Sequence, residues 1–166
     1  MILIGIGSNL AGGRFGGPRE VCEEALRRLE RGGVEVTARS RWYRTAPVPV
    51  SEQPWFVNAV VAVATSLGPA GLLEELHRIE AEFGRIRKVR NEARVLDLDL
   101  LAYGGLVRTG PAGPELPHPR LHERAFVLLP LRDVAPGWRH PATGETLEAL
   151  IARLPPGQAA EPADPA

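Results

Sequence analysis

At 166 residues, 44% apolar and 24% charged, the chain has the composition of one globular domain with material for a single core. Its 20 fixed cations balance 20 carboxylates, so total charge gives no footprint for a nucleic-acid partner. No apolar run approaches the ~20 residues of a membrane span, the start Met1-Ile-Leu-Ile-Gly lacks the basic residues of a signal peptide, and the lone Cys22 excludes an internal disulfide framework and a cysteine zinc site. The expected location is cytoplasmic, with no membrane partner.

Ile2-Leu-Ile-Gly-Ile6 reads as a short buried strand. Its continuation, Gly5-Ile-Gly7-Ser8-Asn9-Leu10, imitates a dinucleotide fingerprint, but Leu10 stands where the third glycine belongs and no phosphate-binding helix starts at once. A strand ending in a polar turn is the better reading. Pro18 opens a helix in which Val21, Cys22, Ala25, Leu26 and Leu29 follow helical spacing, and Gly32-Gly33 stop it. Val34 to Tyr43 alternates as a strand, with Val34, Val36, Ala38, Ser40 and Trp42 on one side. Thr45-Ala-Pro47-Val-Pro49 breaks it, and Gln53 to Thr65 forms another. Asn58 is the one amide in its apolar run; it is either a structural hydrogen-bonder or a recognition group for a polar heterocycle.

Leu72, Leu76, Ile79 and Phe83 make the apolar stripe of a second helix after Pro69, closed by Gly84. Glu80 lies next to that stripe, as a rim charge or facing a site. A basic segment follows, with Arg85, Arg87, Lys88, Arg90 and Arg94 offset only by Glu92. Then comes the most informative stretch, Leu96-Asp97-Leu98-Asp99-Leu100. In an extended strand the leucines share one face and the aspartates the other, with the two aspartate Cα atoms roughly 6.5 Å apart. Asp is a poor strand former, and two carboxylates so placed can share divalent cations. Beside the arginines, and without a P-loop lysine, they suit phosphoryl-type transfer, which needs positioning and charge neutralisation more than a covalent nucleophile. A solvated basic loop beside an acidic strand is the plainer alternative.

Residues 106–117 read as loop. His118 is assigned a phosphate or hydroxyl contact and His122 a surface role, since Pro119 argues against a helix that would pair them. Val127 to Val134 has helical rhythm interrupted by Pro130, and Thr146 caps a short helix to Leu154. The division expected is a single catalytic domain over 1–154 and a mobile Pro/Ala-rich tail over 155–166. Strand, helix, strand, strand, helix, strand is the split β-α-β order of an α+β, ferredoxin-like (βαββαβ) core, a mainly antiparallel sheet covered by helices, with C-terminal additions.

Several segments together resemble one family: Gly5-Ile-Gly-Ser-Asn9-Leu, Tyr43-Arg-Thr45-Ala-Pro, Gln53-Pro-Trp-Phe56-Val-Asn58-Ala, Arg78-Ile-Glu80, Gly84-Arg85-x-Arg87, Arg94-x-Leu-Asp97-Leu-Asp99-Leu and Pro117-His118-Pro-Arg120-x-x-x-Arg124-x-Phe126. The resemblance is to the 6-hydroxymethyl-7,8-dihydropterin pyrophosphokinases of folate synthesis. It implies transfer of the β,γ-pyrophosphate of ATP to the pterin hydroxymethyl group, with AMP released. It also implies two Mg2+ ions on Asp97 and Asp99, and Arg85 and Arg94 neutralising charge on the transferred group. Glu80, Arg87, Leu100, His118 and Arg124 would serve ATP. Asn58 and the backbone around Thr45, Ala46 and Val48 would read the pterin, and Phe56 and Phe126 would sandwich it. The chain is read as a monomer. A palm-type nucleotidyl transferase shares some of these features, but Asn58 beside Phe56 and the lack of a net basic surface argue against it; a nucleotide-sensing module is a third reading and would not need both aspartates.

Overall fold

The structure, a computed structural model, describes residues 1–9, 16–47, 51–52, 54–84, 95–111 and 113–163. Its centre is β1 (Ile2–Ser8), whose pleat sends Ile4 and Ile6 to one face and Leu3, Gly5 and Gly7 to the other. It pairs antiparallel with β4 (Phe56–Ala64) on one side and β5 (Asp97–Tyr103) on the other. Beyond β4 lie β2 (Glu35–Arg39) and β3 (Tyr43–Thr45), and β3 pairs in turn with β6 (Ala160–Pro162). Among the described residues the sheet has six strands in the order β5-β1-β4-β3-β6, with β2 beside β4.

Helices α1 (Pro18–Arg31) and α2 (Pro69–Glu82) cover one face. Each starts with proline in its first turn, and each is followed by a glycine at positive φ, Gly33 (+88°) and Gly84 (+87°), which ends it cheaply. Their apolar stripes meet Ile4, Ile6, Val61, Leu98 and Leu100 in the larger core cluster. Cys22 belongs to it. Burial, with Glu23 and Asp97 nearby, pushes its thiol well up, so it stays protonated and packs as a small apolar group. Helices α3 (Ala125–Val134) and α4 (Leu147–Ala152) lie on the opposite face over Leu3, Val60, Ala62 and Leu101. No helix among the described residues is long and apolar enough to cross a membrane.

The ferredoxin-like core is as anticipated, and α3, α4 and β6 are its C-terminal additions. Three local readings differ. The single strand expected over 34–43 is two strands. A register shift falls between Val36 and Ala38, and buried Ser40 then replaces part of the ladder. Its N–H donates to the Val60 carbonyl (2.9 Å) and its Oγ accepts the Val60 N–H (3.0 Å). The break lets Trp42 join the α1 side while Tyr43 reaches α3. Pro130 does not interrupt α3, which runs through it. Within 155–166, Ala160–Pro162 forms an edge strand on β3 instead of lying apart from the fold; strand pairing uses backbone groups and needs no apolar side chains.

Ser40→Ala removes the acceptor of a buried backbone N–H and is expected to cost about 1–3 kcal/mol of stability. Urea unfolding measures this, and a loss below about 0.5 kcal/mol would sink the bridging role given to Ser40.

Candidate active site

Alternation on β5 does what the sequence implies. Leu98 and Leu100 are buried against α1 and α2, and Asp97 and Asp99 stay half-exposed on the other face. Register then decides what stands beside them. Asp97 pairs with Gly7 and Asp99 with Gly5, so the strand next to the carboxylates presents no side chain on that face. Glycine in a strand interior weakens it and often marks a place where a ligand comes close to the backbone. Here Gly5 and Gly7 floor a pocket of about 250 Å³.

One wall of this pocket is the sheet itself. Asn58 on β4 is buried, its Oδ1 accepts from Thr45 Oγ1, and Thr45 and Ala46 line the rim with Phe56. A Cβ at Gly7 would overlap Asn58 Nδ2, so the glycine is what leaves room for the amide. The other wall is the start of α3, with Arg124, Phe126 and Val127. The Arg124 guanidinium lies over the Phe126 ring at 5.3 Å and faces Asp99 at 3.9 Å.

A second pocket, about 330 Å³, opens at the edge of β5. Leu98 and Leu100 meet Leu73, His77 and Glu80 of α2 there, with Glu115 and Pro119 from the segment before α3. Glu80 is no surface rim charge. It is 1% exposed, and its Oε2 accepts the Leu98 N–H at 2.9 Å. Asp99 and His118 line both pockets, and so form their common border.

His118 is set beside Asp99 by backbone: its N–H donates to the Leu101 carbonyl at 2.8 Å, and the Leu116–Pro117 bond before it is cis. Its Nδ1 accepts the Arg120 N–H at 3.1 Å. Burial pushes the imidazole down from its usual value; Asp99 opposes this, and Arg124 and Arg120 add to it. The ring is therefore neutral near pH 7, with Nε2–H as its donor. His122, half-exposed and 3.5 Å from Glu123, lines neither pocket.

The structure thus gathers Thr45, Ala46, Phe56, Asn58, Asp97, Asp99, His118, Arg124 and Phe126 at the first pocket, and Glu80 and Leu100 at the second. Arg85, Arg87, Arg94 and Val48 lie outside the described residues. Sequence reasoning assigned no role to Gly5, Gly7, Leu73 or His77. For the glycines the signal was present, as two glycines at alternate positions of an apolar strand.

A ferredoxin-like sheet with a carboxylate pair on an open strand face, between two pockets that share a border, defines a group-transfer enzyme with two substrates. Comparison with known proteins gives the family. Residues 3–136 match the profile of 7,8-dihydro-6-hydroxymethylpterin-pyrophosphokinase, and the chain belongs to that family. A 2-amino-4-hydroxy-6-hydroxymethyldihydropteridine pyrophosphokinase of Methylorubrum extorquens is 46% identical over 124 residues, which is 75% of this chain and 77% of the relative. The mitochondrial folate synthesis bifunctional protein of Arabidopsis thaliana is 47% identical over 133 residues, 80% of this chain but 23% of that longer protein. A solved structure of Plasmodium falciparum HPPK-DHPS with pterin and p-hydroxybenzoate superposes over 92% of this chain and 43% of its own, with a TM-score of 0.69 at 14% identity; it shares the fold. The chain is accordingly a pyrophosphokinase of folate synthesis, as the sequence motifs implied.

Gly7→Ala is expected to unseat Asn58 and, by overpacking, to cost about 1–3 kcal/mol. A variant as stable as the parent by urea unfolding, with the Asn58 side chain in its parental place in a crystal structure, contradicts that account.

Proposed function

We propose that the first pocket takes the dihydropterin and the second takes ATP, with the β,γ-pyrophosphate passing between them at the Asp99–His118 border. The observation that carries this reading is that border: two pockets of different lining share Asp99 and His118. The pterin hydroxymethyl oxygen attacks the β-phosphorus. The bond from that phosphorus to the α,β-bridging oxygen breaks, AMP leaves with the oxygen, and the alcohol proton is lost.

In the first pocket Phe56 and Phe126 would stack on the two faces of the heterocycle. Asn58 is oriented by its bond to Thr45, and the backbone around Thr45 and Ala46 would meet the pterin edge, with Val48, outside the described residues, assigned the same role. In the second, Leu100 and Glu80 line the nucleotide's seat, and the His118 Nε2–H is a donor suited to a phosphate oxygen. Arg124 brings positive charge to the transferred group, and Arg85, Arg87 and Arg94 would add to it.

Asp97 and Asp99 would hold two Mg2+ ions. Their fit is chemical: the donors are hard carboxylate oxygens on one strand face above a glycine floor, the ligand type that magnesium prefers. Bound there, the ions would neutralise the triphosphate and polarise its phosphoryl oxygens. We place the reaction in a cytoplasmic monomer.

An assay with ATP, magnesium and 6-hydroxymethyl-7,8-dihydropterin, separating AMP from ADP, tests the transfer: AMP should form in step with pterin diphosphate, and ADP would mean an ordinary kinase. Asp97→Asn and Asp99→Asn should each lower turnover about 100-fold or more with little change in thermal midpoint. Parental turnover in both variants would remove the metal assignment. Phe126→Ala should raise the KM for the pterin and leave that for ATP within about twofold, given that a stacked ring contributes roughly a kcal/mol to binding; the reverse pattern would exchange the two pockets.

A further inference from the structure

The segment after α4 makes contacts that the transfer chemistry leaves unexplained. The Ala159 carbonyl accepts the Ala46 N–H at 3.0 Å, and the Ala163 N–H donates to the Trp42 carbonyl at 2.8 Å. In that register Arg44 and Glu161 are the hydrogen-bonded pair between them. Pro162 falls opposite Tyr43, where a strand N–H points away from its partner, so its missing donor costs the ladder nothing.

Gln158, one residue earlier, reaches the opposite wall. Its Oε1 accepts the Ala125 N–H at 2.9 Å, and its Nε2 donates to the Glu123 carbonyl at 2.7 Å. These are the peptide groups on either side of Arg124. Arg124 stands at the N-cap of α3 with no side-chain cap of its own, so the Ala125 N–H is one of the donors a helix start leaves without an internal partner. A side chain 33 residues away in sequence supplies the acceptor. Consecutive residues of one segment therefore hold both walls of the first pocket: Ala159 holds Ala46, and Gln158 holds the turn that carries Arg124 and Phe126.

We propose that Gln158 is a positioning residue for the pterin pocket, and that residues 158–163 are a strap setting the distance between its two walls. Gln158 touches no reacting atom; it acts through the backbone of Arg124. This rests on the reading of the first pocket as the pterin site.

The test uses two full-length variants that loosen the strap at different points. Gln158→Ala removes the clamp on α3, and Glu161→Pro removes a ladder N–H facing Arg44. KM values for 6-hydroxymethyl-7,8-dihydropterin and for ATP are measured with the thermal midpoint of each. Both variants should raise the pterin KM about fivefold or more and leave the ATP KM within about twofold, since small misplacements of a positioning wall act on the substrate it faces. A pterin KM that stays parental in both, or pterin and ATP KM values that rise together, would reduce the strap to a stabilising edge strand and overturn the proposal. Phe126→Ala in the same assay separates the two levels. If it too leaves the pterin KM unchanged, the pocket assignment itself is wrong; if it raises the pterin KM while the strap variants do not, only the strap fails.

Discussion

The site depends on one pairing, β5 against β1 with Asp97 opposite Gly7 and Asp99 opposite Gly5. Strand side chains alternate, so a slip of one residue would exchange faces for the whole strand. Leu98 and Leu100 would leave the core, at about 1.5–3 kcal/mol for each fully buried leucine, and two carboxylates would enter it at greater cost. The packing of leucines under α1 and α2 is therefore what aims the aspartates. The glycines complete the arrangement from the other strand, because any larger residue at Gly7 would take the space of Asn58. Chemistry on one face is fixed by hydrophobic burial on the other.

Glu80 ties the second pocket to the same strand. β5 is an edge of the sheet core, and among the described residues its outward backbone groups have no strand beyond them. The Leu98 N–H, between the two aspartates in sequence, goes to the buried Glu80 side chain. A side chain buried in α2 thus holds the strand position on which the acidic pair hangs. The same residue lines the second pocket, so helix, strand and pocket wall meet in one hydrogen bond.

Periodic segments were legible from sequence. α1 and α2 run between the proline and glycine signals that local chemistry dictates, and β5 alternates as its Leu-Asp repeat requires. Where the reading failed or stayed open, the deciding partner is remote. Asn58 was undecidable within its own strand because Thr45 and Gly7, which orient it, come from two others. Glu80 stayed open between a rim charge and a site group because helical spacing does not show the strand end that passes beside it. The Pro- and Ala-rich tail gives no local sign of order, since its docking uses backbone groups and one glutamine against an edge and a helix start far away in sequence. The break at Ser40 belongs to the same class: only the tertiary neighbour, Val60, makes a hydroxyl useful there.

The face that carries the pocket is only partly covered by α3 and α4, and α3 begins where the pocket ends. Its placement over the sheet therefore sets the pocket's width, and it is tethered at both ends. At the start Gln158 clamps the peptides around Arg124. Near the end Asp133 accepts from the Arg41 N–H and Nε, each at 3.1 Å, and from the Tyr43 hydroxyl at 3.1 Å. Burial would raise the Asp133 carboxyl, but these bonds outweigh it and hold it below the usual carboxylate range. A carboxyl lowered in the folded state contributes stability that is complete above its unfolded value and fades as pH falls through the folded one. The far tether is thus intact at neutral pH, and it runs to the same strand, β3, that presents Thr45 to the pocket and receives β6. The helix end refers to β3 directly through Tyr43, and the helix start refers to it through Gln158 and the adjoining β6, so a three-residue strand whose Tyr43 and Thr45 are buried serves as the gauge against which the site is set.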